Sequence, residues 1–250
     1  MSRQKPYKQQ RSKQQSSRAK SNRGLILAII GGVIILAAVV VGVLIALNNA
    51  PAKAADPGSI TTIQKQNWPQ PDGIALGPAN APVVVKEFAD FQCPVCKVFN
   101  ETVQPNIIND YVKTGKVRYE FHFFNVIDMN TGGTESLHAA VASLCAANQQ
   151  DFWDYHEILY ANQQGEASGA FSDSRLKAFA ISLGLDSAKF DSCLDKQETK
   201  GTVVADEAIA RTLNISGTPS VFVNGKLVAN SLDYASVKDA IDTALKAAGQ

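Results

Sequence analysis

Two cysteines separated by two residues are the clearest candidates for chemistry in this chain of 250 residues. They form the sequence Cys93-Pro94-Val95-Cys96, which follows a β-branched run and opens an apolar pattern of helical spacing. At the start of a helix, unpaired amide hydrogens and the helix dipole stabilise a thiolate, so Cys93 is the expected nucleophile. Pro94 suits a first helical turn, where no amide hydrogen is needed. The pair can therefore open and close a small disulfide ring.

The same pair could instead be half of a zinc site or an inert structural disulfide. A zinc site needs two further Cys or His ligands at suitable spacing, and none lies nearby in the sequence. We therefore predict no metal. His122, His138 and His156 lie far apart without ligand spacing, and we expect them on the surfaces of strands or helices.

The residues around the cysteine pair predict a strand, a helix and a second strand. A β-branched run covers 83–89, and an aromatic-rich run covers 117–124. Apolar residues recur at helical spacing between them, from 94 to 112. Two strands joined by a helical crossover are expected to be parallel.

Helical periodicity then continues for about ninety residues, over about 126–214. A strand is predicted at 220–223, followed by Asn224-Gly225, the typical sequence of a two-residue hairpin turn, and a short strand at 226–228. An amphipathic helix ends the chain. The predicted fold class is α/β, with the order βαβ, helical block, ββα.

A second motif, Gly217-Thr218-Pro219, stands directly before the predicted hairpin. Cis peptide bonds occur almost only before proline and mostly in tight turns, so Thr218-Pro219 is a candidate. Together, the element order, the Cys-Pro-Val-Cys motif and this turn resemble the thioredoxin superfamily. The helical block makes the chain similar to the DsbA-like branch, and the resemblance covers about 70–250.

The resemblance implies a role for each matching residue. Cys93 corresponds to the attacking thiol, Cys96 to the buried resolving thiol and Pro219 to the cis-proline. Thr218 is expected to pair its backbone with an extended substrate. The expected substrate contacts are Thr218, Pro94 and Val95. The family often has histidine where this chain has Val95, and that position influences the strength of oxidation.

Glu87 lies six residues before Cys93 and matches the buried acid found under the active site in this family. Its implied role is to accept the proton of Cys96, since burial raises the pKa of a carboxyl group towards neutrality. The alternative is an ordinary strand-edge glutamate paired with Lys86 or another cation.

Cys145 and Cys193 are the remaining cysteines. Four cysteines allow three pairings, and assigning Cys93 to Cys96 leaves only this one. In an oxidising compartment two such thiols in one helical block are expected to join. Closing this long loop would contribute about 4 kcal/mol in the chain-entropy model. The alternative is two separate buried thiols that act as small apolar groups.

Charge along the chain predicts a membrane anchor. Residues 1–23 contain eight basic residues and no acidic ones, and residues 24–47 contain no charged residue at all. An apolar helix of that length spans a bilayer, and the basic tail keeps the N-terminus cytoplasmic. A cleavable signal peptide is the alternative, although the apolar run is longer than such peptides have. Since topology accounts for the basic tail, we predict no nucleic-acid partner.

The predicted organisation is a tail at 1–23, a transmembrane helix at 24–47, a linker at 48–67 and a thioredoxin-like domain at 68–250. We expect a membrane-anchored bacterial thiol–disulfide oxidoreductase whose catalytic domain is extracytoplasmic. It would introduce disulfides into reduced secreted or envelope proteins without a cofactor. The resemblance implies reoxidation by a DsbB-like or VKOR-like membrane partner.

Two alternatives remain. A reductase or isomerase of the same fold would use the same residues, and the reduction potential, which the sequence does not give, decides the direction. A non-catalytic thioredoxin-fold adaptor or metal chaperone is the other. The presence of both cysteines, Pro219 and Glu87 argues against it.

Overall fold

The computed structural model describes residues 58–250, together with residues 27, 31–32, 36 and 39–41. The predicted tail at 1–23 lies outside these residues, as do most of the predicted span at 24–47 and the first part of the linker. No helix within the described residues has the length and hydropathy that a membrane crossing requires.

A five-stranded sheet forms the centre of the folded part, in the order β1-β3-β2-β4-β5. The strands are β1 (Ala75–Leu76), β2 (Val83–Ala89), β3 (Val117–Phe123), β4 (Ser220–Val223) and β5 (Lys226–Leu227). Strands β2 and β3 are parallel, with Glu87 opposite Phe121, as the strand–helix–strand pattern predicts. Strand β4 runs antiparallel to β2 and places Val221 opposite Glu87. Both neighbours of Glu87 across the sheet are therefore apolar.

Helices follow β2, fill the block between β3 and β4, and end the chain after β5. They are α1 (Pro94–Thr102), α2 (Gln104–Ile107), a π-helical turn (Ile108–Val112), α3 (Val126–Thr131), α4 (Glu135–Ala147), α5 (Phe152–Ala161), α6 (Asp173–Ser182), α7 (Ser187–Asp195), α8 (Lys200–Thr212) and α9 (Tyr234–Ala247). The βαβ–ββα order with a helical insertion is confirmed. The single helix predicted at 94–112 is divided, because Pro105 has no amide hydrogen to continue the helix through that point.

Strands β2 and β3 have the same burial pattern. In each, the first four residues alternate between the core and a partly exposed face, and the last three are all buried. On the partly exposed face Lys86 forms an ion pair of 3.1 Å with Glu120. The hairpin after β4 turns at Asn224 and Gly225, with φ of 46° and 77°, the left-handed values that such a turn needs.

A disulfide holds the helical insertion together. Cys145 of α4 is bonded to Cys193 of α7, with Cα atoms 5.8 Å apart. Both cysteines are buried, and the cross-link joins two helices of the insertion.

The described end of the predicted linker packs on the insertion. Ile60 and Ile63 contact the core, the amide of Thr61 donates to Asn162 Oδ1 at 2.8 Å, and Lys65 pairs with Asp151 at 2.5 Å. The packed part of the chain therefore begins before Trp68. An extended segment of this kind has no apolar periodicity that could reveal it.

Two of the three histidines are not on the surface, contrary to expectation. His156 is fully buried, and its ring centroid lies 4.9 Å from those of Phe121 and Tyr160. His122 is buried between two carboxylates, with Nδ1 3.0 Å from Asp206. Tertiary partners therefore make these positions internal, and no local spacing indicates them.

Candidate active site

The Cys-Pro-Val-Cys motif lies where the chain leaves β2 and enters α1. Cys93 is the N-cap of α1, with φ of −71° and ψ of 117°, and Pro94 follows in the first turn. The Cys93 amide donates to the Asp90 carbonyl at 3.0 Å, which closes the loop between strand and helix. Both thiols are free. Cys93 is 6% exposed and Cys96 is fully buried, so only Cys93 can be reached from solvent.

The turn before β4 comes to the same place from 125 residues away in the sequence. The Thr218-Pro219 peptide bond is cis, and the Cys93 thiol lies 3.5 Å from the Thr218 carbonyl oxygen as a potential donor. The Thr218 hydroxyl oxygen is buried and has no hydrogen-bond partner in the described part of the chain. The two sequence motifs therefore form one site.

The pKa values of the two thiols are shifted in opposite directions. A hydrogen bond from the Cys96 thiol is the largest cause that lowers the pKa of Cys93 from 9.0 to about 6, and the backbone amides of Val95 and Cys96 act in the same direction. Burial, followed by the interaction with Cys93, raises the pKa of Cys96 well above its ordinary value. At neutral pH, Cys93 is therefore mostly a thiolate and Cys96 a thiol.

Glu87 lies beneath this pair and is 1% exposed. Burial raises its pKa from 4.5 to about 8, although the Tyr119 hydroxyl donates a hydrogen bond to it. Its charge also contributes to the raised pKa of Cys96. Lys86, the alternative partner considered from sequence, pairs with Glu120 instead. A buried carboxyl group with this pKa can take up or release a proton near neutral pH.

Gln163, in the insertion, is a residue that sequence reasoning missed. Its side-chain amide donates to the carbonyl oxygens of Phe91 at 2.6 Å and of Cys93 at 3.0 Å. A single side chain thereby fixes the backbone of the turn that carries Cys93. Nothing in the local sequence around Gln163 indicates this contact across seventy residues.

Gln92 makes the reciprocal contacts from the turn to the insertion. Its Oε1 accepts from the Ala167 amide at 2.7 Å, and its Nε2 donates to Ser136 Oγ at 2.7 Å and to Asp128 Oδ1 at 2.9 Å. Because Gln92 immediately precedes Cys93, these bonds join the reactive turn to α3, α4 and the loop after α5.

Asp90 is a second buried carboxyl group that the sequence analysis did not single out. Its oxygens accept from the amides of Gln92 at 2.8 Å and Ile127 at 2.9 Å. Burial raises its pKa from 3.8 to about 6. Its hydrogen bonds connect the end of β2 with the start of α3.

The outer edge of the site is formed by Pro94 and Val95, which are both exposed. Among the described residues, no group of three or more His, Cys, Asp or Glu side chains is arranged to hold a metal ion. The arrangement offers one accessible thiolate, one shielded thiol and one buried carboxyl group that can take up or release a proton.

Comparison with known proteins gives consistent results. The family profile described as Thioredoxin matches residues 69–243. The chain is 33% identical over 174 residues to disulfide bond formation protein D of Bacillus subtilis, covering 68% of this chain and 76% of that protein. It is 34% identical over 175 residues to probable disulfide bond formation protein D of Bacillus anthracis, covering 69% and 78%.

Solved structures show the same likeness. The crystal structure of oxidised BdbD from Bacillus subtilis superposes with a TM-score of 0.63 at 32% identity, covering 72% of this chain and 97% of that one. α-DsbA1 of Wolbachia pipientis superposes with a TM-score of 0.61 at 23% identity, which shows the fold alone, over 72% of this chain and 94% of that one.

Proposed function

Because the chain belongs to the thioredoxin family, as a DsbA-like thiol–disulfide oxidoreductase, we propose that it introduces disulfides into secreted or envelope proteins. One observation carries the direction of the reaction: the pKa of Cys93 is lowered to about 6 while that of Cys96 is raised. A stabilised thiolate favours the reduced pair, and a pair that is stable when reduced is a strong oxidant when oxidised.

The first step is attack by a substrate thiolate on Cys93 Sγ of the Cys93–Cys96 disulfide. The bond between the two cysteines breaks, a mixed disulfide forms, and Cys96 leaves with the electron pair. Protonated Glu87 can supply a proton to Cys96. A second substrate thiolate then attacks the substrate sulfur of the mixed disulfide, which releases a substrate disulfide and the Cys93 thiolate. The substrate has lost two electrons and the cysteine pair has gained them.

We propose that the substrate backbone binds at Thr218 and Pro219. The Thr218 carbonyl lies beside the Cys93 sulfur, so an extended segment paired with Thr218 would bring its cysteine to Cys93. The exposed side chains of Pro94 and Val95 would contact the same segment from the other side.

Reoxidation requires a disulfide from another protein, for which we propose a DsbB-like or VKOR-like membrane partner. The Cys93 thiolate would attack the partner's disulfide and form a mixed disulfide. Cys96 would give its proton to the Glu87 carboxylate and attack Cys93 Sγ, which restores the ring and leaves the partner reduced. We further propose that residues 24–47 anchor the protein by a single pass, with the tail in the cytoplasm and residues 68–250 outside.

The equilibrium between the Cys93–Cys96 pair and a glutathione buffer tests this proposal. An oxidase should have a reduction potential above about −180 mV, whereas a reductase should lie near the thioredoxin value of about −270 mV. The reduced fraction is measured by alkylation and mass spectrometry, with Cys96→Ala as the variant that cannot close the ring. A potential near that of thioredoxin would replace the oxidase by the reductase, and a value near protein disulfide isomerase would favour the isomerase.

A further inference from the structure

A row of hydrogen-bonded polar side chains runs from Glu87 on β2 to Glu157 on α5. The Tyr119 hydroxyl donates to Glu87 Oε2, and Gln104 Nε2 donates to the Tyr119 oxygen at 3.4 Å. Asn100 Nδ2 donates to Gln104 Oε1 at 3.0 Å and to Glu157 Oε1 at 2.9 Å. The row ends at Glu157, which is partly exposed.

The spacing of these amides follows the helix that carries the cysteines. Asn100 lies four residues after Cys96, and Gln104 lies four residues after Asn100, so Asn100 shares a helix face with Cys96 and the row continues into the start of α2. The side chains of Cys96, Asn100 and Gln104 are all buried. The same elements therefore present the resolving thiol and the amides to Glu87 and Tyr119 on the sheet.

The donor and acceptor pattern gives the row a direction. Asn100 Nδ2 must meet an acceptor, which places Gln104 Oε1 towards it and Gln104 Nε2 towards Tyr119. Since the amide hydrogen then occupies the Tyr119 oxygen, the single hydroxyl hydrogen points to Glu87. Burial raises the pKa of Tyr119 well above its usual value, so the hydroxyl keeps this proton.

We propose that Tyr119 is the positioning residue of Glu87, and that Gln104 and Asn100 hold the Tyr119 hydroxyl in the orientation that donates to it. A donated hydrogen bond favours the carboxylate over the acid. Tyr119 thereby keeps Glu87 able to exchange protons with Cys96 despite its burial. This inference rests on the proposed role of Glu87.

Other titratable groups also face Glu87 and must be considered in any pH dependence. Cys93 and Cys96 approach it from α1, and Tyr160 approaches from α5. The residues opposite Glu87 on β3 and β4, Phe121 and Val221, do not titrate. Among the described tyrosines that interact with Glu87, only Tyr119 donates a hydrogen bond to it, and its removal is therefore the specific test.

The experiment follows the Glu87 carboxyl carbon by NMR in the reduced full-length protein as pH is varied, with Glu87→Gln used for assignment. Tyr119→Phe should raise the titration midpoint of Glu87 by about one pH unit, because a hydrogen bond to the charged form is lost. Gln104→Leu should give a smaller shift in the same direction. It also tests the proposal should the tyrosine variant not fold.

A kinetic measurement links the titration to the reaction. Glutathione release from the mixed disulfide at Cys93, caused by attack of Cys96, should show a pH midpoint that rises with Tyr119→Phe. Tyr111→Phe is the matched control, since it removes a hydroxyl that donates to a different carboxylate, Asp242. It should leave the midpoint unchanged.

The outcomes separate the two proposals. If Glu87→Gln does not alter the pH profile of glutathione release, the role of Glu87 fails and the positioning role fails with it. If Glu87→Gln alters the profile but Tyr119→Phe leaves the Glu87 midpoint where it was, only the positioning role is overturned. An equal shift in Tyr111→Phe would also overturn it, since the effect would not be specific to Glu87.

Discussion

At the scale of single residues, the accessible and shielded thiols should differ in reactivity. A small alkylating reagent should modify Cys93 first, with a rate that rises with pH through a midpoint near 6, because the thiolate is the nucleophile and its pKa is lowered to about 6. Cys96→Ala should raise the midpoint, since it removes the largest stabilising hydrogen bond. Equal rates for the two cysteines in wild type, measured by peptide mapping, would contradict this assignment.

The same asymmetry predicts which variant traps substrates. Cys96→Ala should accumulate mixed disulfides through Cys93, since the thiol that resolves them is gone, and Cys93→Ala should accumulate almost none. Pro219→Ala should prolong the life of such complexes by disturbing the turn beside Cys93. Complexes are measured on non-reducing gels after acid quenching. Trapping by Cys93→Ala would reverse the roles of the two cysteines.

At the scale of elements, the loop after α5 holds the reactive turn through Gln163. Gln163→Ala removes two hydrogen bonds to backbone carbonyls and should lower the free energy of unfolding by about 1 to 2 kcal/mol. Hydrogen exchange should also become faster in the turn and first part of α1. Gln164→Ala, at the exposed neighbouring position, is the matched control and should change neither quantity. Unchanged exchange in Gln163→Ala would show that other contacts fix the turn.

The elements found by sequence analysis are those with a strong local pattern. The β-branched run of β2 and the Asn224-Gly225 turn are visible without tertiary information. Strand β1 has only two residues, which is too short for alternation to be detected. The first helix is divided at Pro105. The apolar spacing that predicts one continuous helix takes no account of this proline.

The candidate site could be predicted only where a residue type is itself informative. Cys93, Cys96 and Pro219 belong to motifs, whereas Gln163 and Gln104 are ordinary glutamines whose importance comes from their partners. Those partners are brought close by folding over many residues. A single sequence contains no local pattern for such contacts.

At the scale of the whole molecule, the disulfide should matter for stability and not for chemistry. Cys145→Ser should lower the free energy of unfolding by about 4 kcal/mol, given the sequence separation of 48 residues. The double variant with Cys193→Ser should lose about the same amount, since both remove one cross-link. Denaturant unfolding measures the loss, and the Cys93 alkylation midpoint should stay unchanged. Two free thiols in the native wild-type protein would contradict the pairing.

The distribution of charge along the whole chain predicts its orientation. Protease added to intact spheroplasts should digest the chain beyond residue 48, because the basic residues of 1–23 favour a cytoplasmic N-terminus. A cytoplasmic marker protein that survives the treatment is the control. Protection of residues 68–250 would place them inside the cell and remove the oxidising environment that the proposed activity needs.

The exposed position of Val95 has a consequence for how such a protein can evolve. Val95 is 40% exposed and lies between Cys93 and Cys96, so it can influence the reduction potential without filling the core. Substitution there leaves no cavity, and the cost in folding that usually limits change near an active site is small. Natural selection can therefore adjust the reduction potential of this enzyme by single mutations at this position, while the scaffold is preserved.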